Sequence, residues 1–255
     1  NSADYMTYFN QARINDDESP QFTPDVIEKY ATGNKYRYPD VDYYSSEYLK
    51  GFKGYYDLTG EFSGGNDIAK YYSNFAWYSA GSIINFGEAK NARNNIFSVR
   101  GNVDLKINNW IKTAIDGSAV FGNNKSQMGD FWSAAANNRP YEFTPLIPID
   151  LIDPNNPLLK ARKNDIDGKY LLGGNVTYQS NAIADCYSGG VNENIQRRLA
   201  FNNRIDFDLG KITQGLSFHT NFSFDFFTSY DQAIVNQYSV YEPIWDAVND
   251  SIINL

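Results

Sequence analysis

The residues best able to do chemistry in this chain are few and scattered. There is one histidine, His219, and one cysteine, Cys186. A general base or a metal centre needs companions, and no second His or Cys stands at ligand spacing from either. His219 lies in an alternating stretch beside Asn221 and near Asp225, where it reads as one polar residue among several. Cys186, in "IADCYSGG", reads as a lone loop thiol, and a single cysteine excludes an intrachain disulfide framework. Two acidic turns, "NDIDGK" with Asp165 and Asp167 and "DLIDPNNP" with Asp150 and Asp153, offer carboxylates of the kind that ligate calcium. Both lack the closing glutamate of a calcium loop and fit ordinary acidic turns, so Asp165 and Asp167 stand as weak calcium candidates only. "GSAVFG" lacks the lysine of a phosphate loop, and no serine sits in a nucleophile elbow. The expectation is a protein that is not an enzyme and uses no cofactor.

The stretch with most binding potential is "GDFWSAAANNRPYEFTPLIP". Asp130 is placed to cap a short helix running through Ala136, and Arg139-Pro140 ends it. Phe131, Trp132, Tyr141 and Phe143 could form a stacking platform for sugar rings, and Arg139 stands with them as a candidate for ligand or partner binding. They could also be the cluster that holds a long loop together, or a contact surface for a partner. Tyr238, Tyr241 and Trp245 pose the same choice.

These residues hang on a framework of period two. In "FSVRGNVDLKI", Phe97 to Ile107, every odd position is apolar or glycine and every even one is polar. That is a strand with a different medium on each face. The same alternation marks Tyr55–Ser63, Lys70–Ser79, Asn95–Ile107, Ile111–Phe121, Leu199–Leu209 and Leu216–Phe226, giving six predicted strands of 9 to 13 residues, near the roughly 9–11 of a tilted membrane crossing. Their polar positions include Arg100, Asn102, Asp104, Asp116, Arg204, Asp206, Asp208 and His219. Tight links ("GGNDIA", "NNW", "GKITQG") alternate with long ones ("INFGEAKNAR", then residues 122–198), so the long links all leave one end of the sheet. Outer-membrane barrels have this asymmetry, with a lipid-facing apolar side and a wet lumen.

Composition narrows the classes. The chain has 255 residues, 42% hydrophobic, with 20 Tyr and 17 Phe, and its mean hydropathy of −0.52 comes with no run near the roughly 18 apolar residues of a membrane helix. A net charge of −8 and no basic, aromatic-laced patch exclude nucleic acid as a partner. A soluble β-sandwich also alternates, but its strands are usually shorter and its loops leave both ends.

The first fifty residues do not alternate. "NSADYMTYFNQARIN" reads as a helix capped by Ser2 or Asp4. "FTPDVIEKYATG" reads as a second, with Thr23 as cap, Pro24 at its first position and Gly33 closing it. "YRYPDVDYYSSEYLKG" then predicts an extended segment followed by another short helix.

Three segments resemble SusC/RagA-type TonB-dependent transporters of Gram-negative Bacteroidota. "DVIEKYATGNKYRYPDVDYYSSEYLK" is similar to the stretch joining plug to barrel, with Tyr38-Pro39-Asp40-Val41-Asp42-Tyr43 at a "YPN-D-W" signature and Tyr43 where Trp is usual. "FSVRGNVDLKINNWIK" resembles "yNfRsNvdvdvtkWlk" through Arg100, Asn102, Asp104 and Trp110. "DLTGEFSGGNDIAKYYSNFAWYSAGSI" resembles the preceding hairpin through Gly64, Gly65, Tyr72 and Gly81. The likeness covers about residues 1–122, and Leu199–Phe226 in pattern alone.

What the resemblance implies is part of an antiparallel transmembrane β-barrel of 22 strands in the cell outer membrane. On that view residues 1–54 connect plug to barrel, residues 55–227 supply six strands around an extracellular loop at 122–198, and residues 228–255 begin a further loop. The chain would be a piece of a longer one that imports glycan or peptide nutrients, lidded by a SusD-like surface lipoprotein and energised by TonB through a part not in this chain. A soluble or surface-attached carbohydrate-binding module, and a passive porin or assembly barrel, are the rival expectations.

Overall fold

The structure, a computed structural model, describes residues 1–161 and 165–255. Its frame is one six-stranded antiparallel sheet in the order β1-β2-β3-β4-β7-β8. These strands are β1 (Tyr55–Gly65), β2 (Ala69–Gly81), β3 (Arg93–Lys106), β4 (Ile111–Gln127), β7 (Gly190–Asp208) and β8 (Ser217–Val235). Two short pairs stand apart, β5 (Leu146–Pro148) with β6 (Tyr170–Leu172), and β9 (Ile244–Trp245) with β10 (Ile252–Asn254). The sheet is open, with β1 and β8 at its edges. No helix among the described residues is long and apolar enough to cross a membrane.

The turns at one end are built from asparagine and aspartate. Asn66 Oδ1 accepts from the amides of Ile68 and Ala69 at 2.8 and 2.9 Å. Asn108 Oδ1 does the same for Trp110 and Ile111 at 2.9 and 2.8 Å, and Asp208 Oδ1 accepts from Gly210 N at 2.9 Å. Side chains that mimic a backbone turn let strands reverse within a few residues.

Everything else gathers at the opposite end. Helix α1 (Ser2–Asn15) and helix α2 (Pro24–Thr32) precede the sheet, and helix α3 (Phe131–Asn137) lies in the long loop. One core there joins Tyr43, Tyr48, Ile84, Phe86, Phe131 and Cys186; another joins Ile147, Ile152, Leu171 and Ile252. The N-terminal segment is tied in by Ser2, buried, whose Oγ donates to Pro39 O at 2.9 Å and to Asp40 Oδ1 at 2.8 Å. The last residues are tied in by Arg37, which bonds Asn249 O at 3.0 Å and pairs with Asp250.

Several expectations change. The α1 cap is Asn1, whose side chain accepts from Asp4 N; Ser2 is instead used by the core, and Asp4 sits in the first turn. No helix forms between residues 43 and 49. A single turn there, Leu49 N to Ser45 O at 2.9 Å, delivers the Tyr43 and Tyr48 rings inward, where packing outweighs further helix. The loop expected at 122–198 is narrower, residues 128–189, because the β4–β7 ladder runs on to Gln127 and Val191. Likewise β8 continues to Val235, so the final segment begins at 236 rather than 228. Helix α2 is as expected, with Thr23 Oγ1 accepting from Val26 N at 3.4 Å.

Gly87 marks where the two long loops touch. Its φ of 52° and ψ of −151° lie in backbone space that only glycine enters freely, and a Cβ there would strike the Cys186 carbonyl. Gly87→Ala should therefore cost about 1–3 kcal/mol in backbone strain alone. The check is amide exchange: residues 82–92 and 182–189 should lose protection together, while the tight-turn end of the sheet keeps it.

Candidate functional site

The register sorts the sheet's side chains into two faces. Directly opposed residues share a face in an antiparallel pair. Asn102 lies opposite Asp116, Asp104 opposite Ala114, and Ala114 opposite Arg204. Asp206 lies opposite His219, and Asp208 opposite Ser217. Arg100, Asn102, Asp104, Asp116, Arg204, Asp206, Asp208 and His219 therefore share one face, as their spacing predicts. Arg204 grips Asp206 with Nε at 3.0 Å and Nη2 at 2.8 Å. His219 completes a row running Lys106, Lys112, Asp206, His219 across four strands. Hollows open on this side, one of about 490 Å³ lined by Arg100, Asp116, Asn202 and Asp225.

The opposite face is apolar and uncovered. Trp77 and Phe97 are each 43% exposed, Phe201 38% and Phe222 63%, although all lie mid-strand. On the edge strand, the Phe75 ring lies where a Gly60 Cβ would go, and Tyr71 covers Gly64. Tyr56 stacks on Trp77 at 6.3 Å, and Phe97 on Phe121 at 6.5 Å. Toward the loops this face turns polar: Asn123 Nδ2 donates to Glu193 Oε1 at 2.7 Å, and Ser79 Oγ to Asn95 Oδ1 at 2.7 Å.

The aromatic loop residues do not form one platform. Phe131 is buried among Phe86, Tyr48 and Trp132, with ring centroids 5.5, 6.3 and 5.2 Å away. Phe143 is buried against Tyr178 at 5.0 Å. Tyr141 packs among Tyr5, Phe22 and Tyr30, and binds α1 and α2 to the loop. Arg139 lies over Tyr5 at 5.6 Å and donates to Tyr141 Oη at 3.2 Å. Trp132, by contrast, stays 48% exposed. Asp130 caps α3 as expected, accepting from Trp132 N and Ser133 N at 3.1 Å. The terminal aromatics are also structural: Tyr238 donates to Asp185 Oδ1 at 2.5 Å, and Tyr241 and Trp245 pack on the second core.

Asp165 Oδ1 accepts from Gly168 N at 3.1 Å, closing a turn in which Asp167 has a φ of 54°. Asn164, which opens that motif, lies outside the described residues. Asp153 caps its own turn through Asn155 N at 2.9 Å. Among the described residues no group of three or more His, Cys, Asp or Glu is placed to hold a metal ion.

No protein-family model matches the chain, and no curated protein matches it either.

The first core holds several groups that resist ionisation. Burial, reinforced by the charges of Asp185 and Asp130, pushes the Cys186 thiol up to about 12. Burial pushes Tyr43 up to about 12 and raises Tyr48 and Tyr187 as well. Unfolded, the thiol ionises near 9.0 and the tyrosines near 10.0. Between those values and about pH 12 the unfolded loops bind fewer protons than the folded ones, so stability falls with rising pH across that window and is intact below it. A thiol reagent should label Cys186 slowly at pH 8. Labelling should accelerate sharply as the pH passes 10, and already at pH 8 in Phe131→Ala, which removes about 3–5 kcal/mol of core packing.

Proposed function

We propose that the sheet is a section of the wall of a transmembrane β-barrel in a Gram-negative outer membrane, and that the protein is a SusC-like, TonB-dependent importer of glycan or peptide nutrients. The observation that carries this reading is the exposed apolar face. A sheet in water hides such a face under a second layer, whereas here it stays bare along the strands while the other face is charged. From Ile111 to Phe121 it rises roughly 33 Å at about 3.3 Å per residue, which at the usual strand tilt covers about 25 Å, the height of a barrel's lipid-facing band.

The remaining features fit the same frame. Tight turns at one end suit the periplasmic side, and the packed loops at the other suit the cell surface, where a SusD-like lipoprotein would contact them. The edges of β1 and β8 carry unpaired backbone groups, each costing several kcal/mol in lipid. Further strands must therefore flank them, supplied by another part of a longer chain or by another polypeptide. The import reading rests on the motif resemblance alone.

Val103 and Asp104 are neighbours on opposite faces, which makes them a matched test. Val103→Arg should destabilise the membrane-inserted protein by about 2–4 kcal/mol, and Asp104→Ala should change little. Cell fractionation with boiled and unboiled gels supplies the direct check. Outer-membrane recovery with a heat-dependent mobility shift is the expected result; a soluble protein of unchanged mobility would end the barrel reading.

A further inference from the structure

The polar face changes character along its length. Near the tight turns it carries fixed charges, among them Lys70, Asp104, Lys112, Arg204 and Asp206. Near the loops it carries amides instead. Asn94, Asn124 and Asn194 form one cross-strand row, and Gln196 stands on the same face one row below. These amides surround a hollow of about 410 Å³, within the range of small-ligand sites. Ile96, Val120, Gly122 and Phe227 also line it.

The hydrogen-bonding capacity in this hollow is largely unspent. Asn194 Nδ2 is engaged, donating to Ser229 Oγ at 3.1 Å and to Asp231 Oδ1 at 2.5 Å. The side-chain amides of Asn94, Asn124 and Gln196 make no hydrogen bond to another described residue. Each amide offers a donor pair and an acceptor side by side, the complement of a hydroxyl, which both donates and accepts. Two charges of opposite sign flank the hollow, Asp231, which accepts from Asn194, and Arg198, which lies over the Phe227 ring at 5.5 Å, so together they carry no net charge. Gly122 keeps the space open, since a Cβ there would meet nothing closer than Gln196 Cβ at 3.7 Å. Beside the amides, the Phe227 ring and the Val120 and Ile96 side chains offer apolar surface, and an aromatic face attracts C–H edges.

We propose that this hollow is a binding subsite for a neutral saccharide chain, with hydroxyls on the free amides and the apolar face of a sugar ring against Phe227. A charged ligand of either sign would meet a like charge as well as a counter-charge there, Arg198 on one side and Asp231 on the other. The proposal takes its setting from the barrel reading above and narrows glycan or peptide to neutral glycan.

The test is calorimetric titration of the full-length protein with neutral oligosaccharides of several linkages, a uronic-acid oligosaccharide and a short peptide. Neutral chains should bind. Gln196→Leu, which removes hydrogen bonds, and Gly122→Phe, which fills the hollow from a strand position that tolerates an aromatic, should each weaken binding by about tenfold or more. Asn221→Leu, on the same face toward the tight turns, should leave it unchanged. Absence of neutral-saccharide binding, or binding indifferent to both variants, overturns the subsite. Heat-modifiability of the same preparations reports separately on the barrel. A barrel that binds only the acidic chain or the peptide defeats the subsite and spares the transporter. A soluble protein whose neutral binding falls in both variants keeps the subsite and defeats the transporter.

Discussion

A β-sheet saturates its backbone in its own plane and leaves both faces to be satisfied by something else. Among the described residues neither face meets a second protein layer over the length of the strands, so each needs its own surroundings, and that requirement disciplines the sequence. Alternation must hold through six strands, and every pair must keep its register, because a slip of one residue would turn Phe97, Phe121 and Phe201 onto the charged side. The antiparallel order then fixes where the loops go. Reversals at one end are only a few residues long, and all the bulk of the molecule is carried at the other.

That bulk has a logic of its own. Alternating strands bury little, so the buried side chains lie almost wholly in the loops and the N-terminal segment. Tyrosine and phenylalanine dominate the contacts, with Tyr48, Phe86 and Phe131 in mutual ring contact and Tyr141 holding α1 and α2 through Tyr5, Phe22 and Tyr30. Rings bury much area with few rotatable bonds, which suits segments without a regular ladder to order them. The segments brought together are far apart in the chain: Thr144 Oγ1 donates to Tyr36 O at 3.0 Å, and Ile152 pairs with Ile252.

The strands were legible because period two is a local signal, and residues 55–121 and 199–226 display it without outside help. It fades where the ladder does not. Beyond Phe121 the sequence reads Gly122, Asn123, Asn124, Lys125, polar on both faces, so hydropathy falls silent while hydrogen bonding to β7 continues. The fate of the aromatic loop was not legible. Whether Phe131 meets a ligand or a core depends on Tyr48 and Phe86, and nothing near Phe131 in the chain announces them. The row of Asn94, Asn124 and Asn194 was invisible for a related reason: each is an unremarkable polar residue until the register sets them side by side.

The joint between β4 and β7 has a kinetic meaning. β1 to β4 follow one another directly, the longest link among them being residues 82–92, and β7 and β8 are joined by a tight turn, so two local units can assemble from contacts close in the chain. Joining them means closing everything between Gln127 and Gly190 into one loop before the first rung forms. Closure entropy grows only slowly with length, and pairings this distant in sequence belong to the late, slow part of folding. The interposed segment lessens that search, because β5 and β6 pair within it and Asp130 starts a helix at its entrance. A loop that folds on itself brings its own ends together, and the wall of the sheet closes behind it.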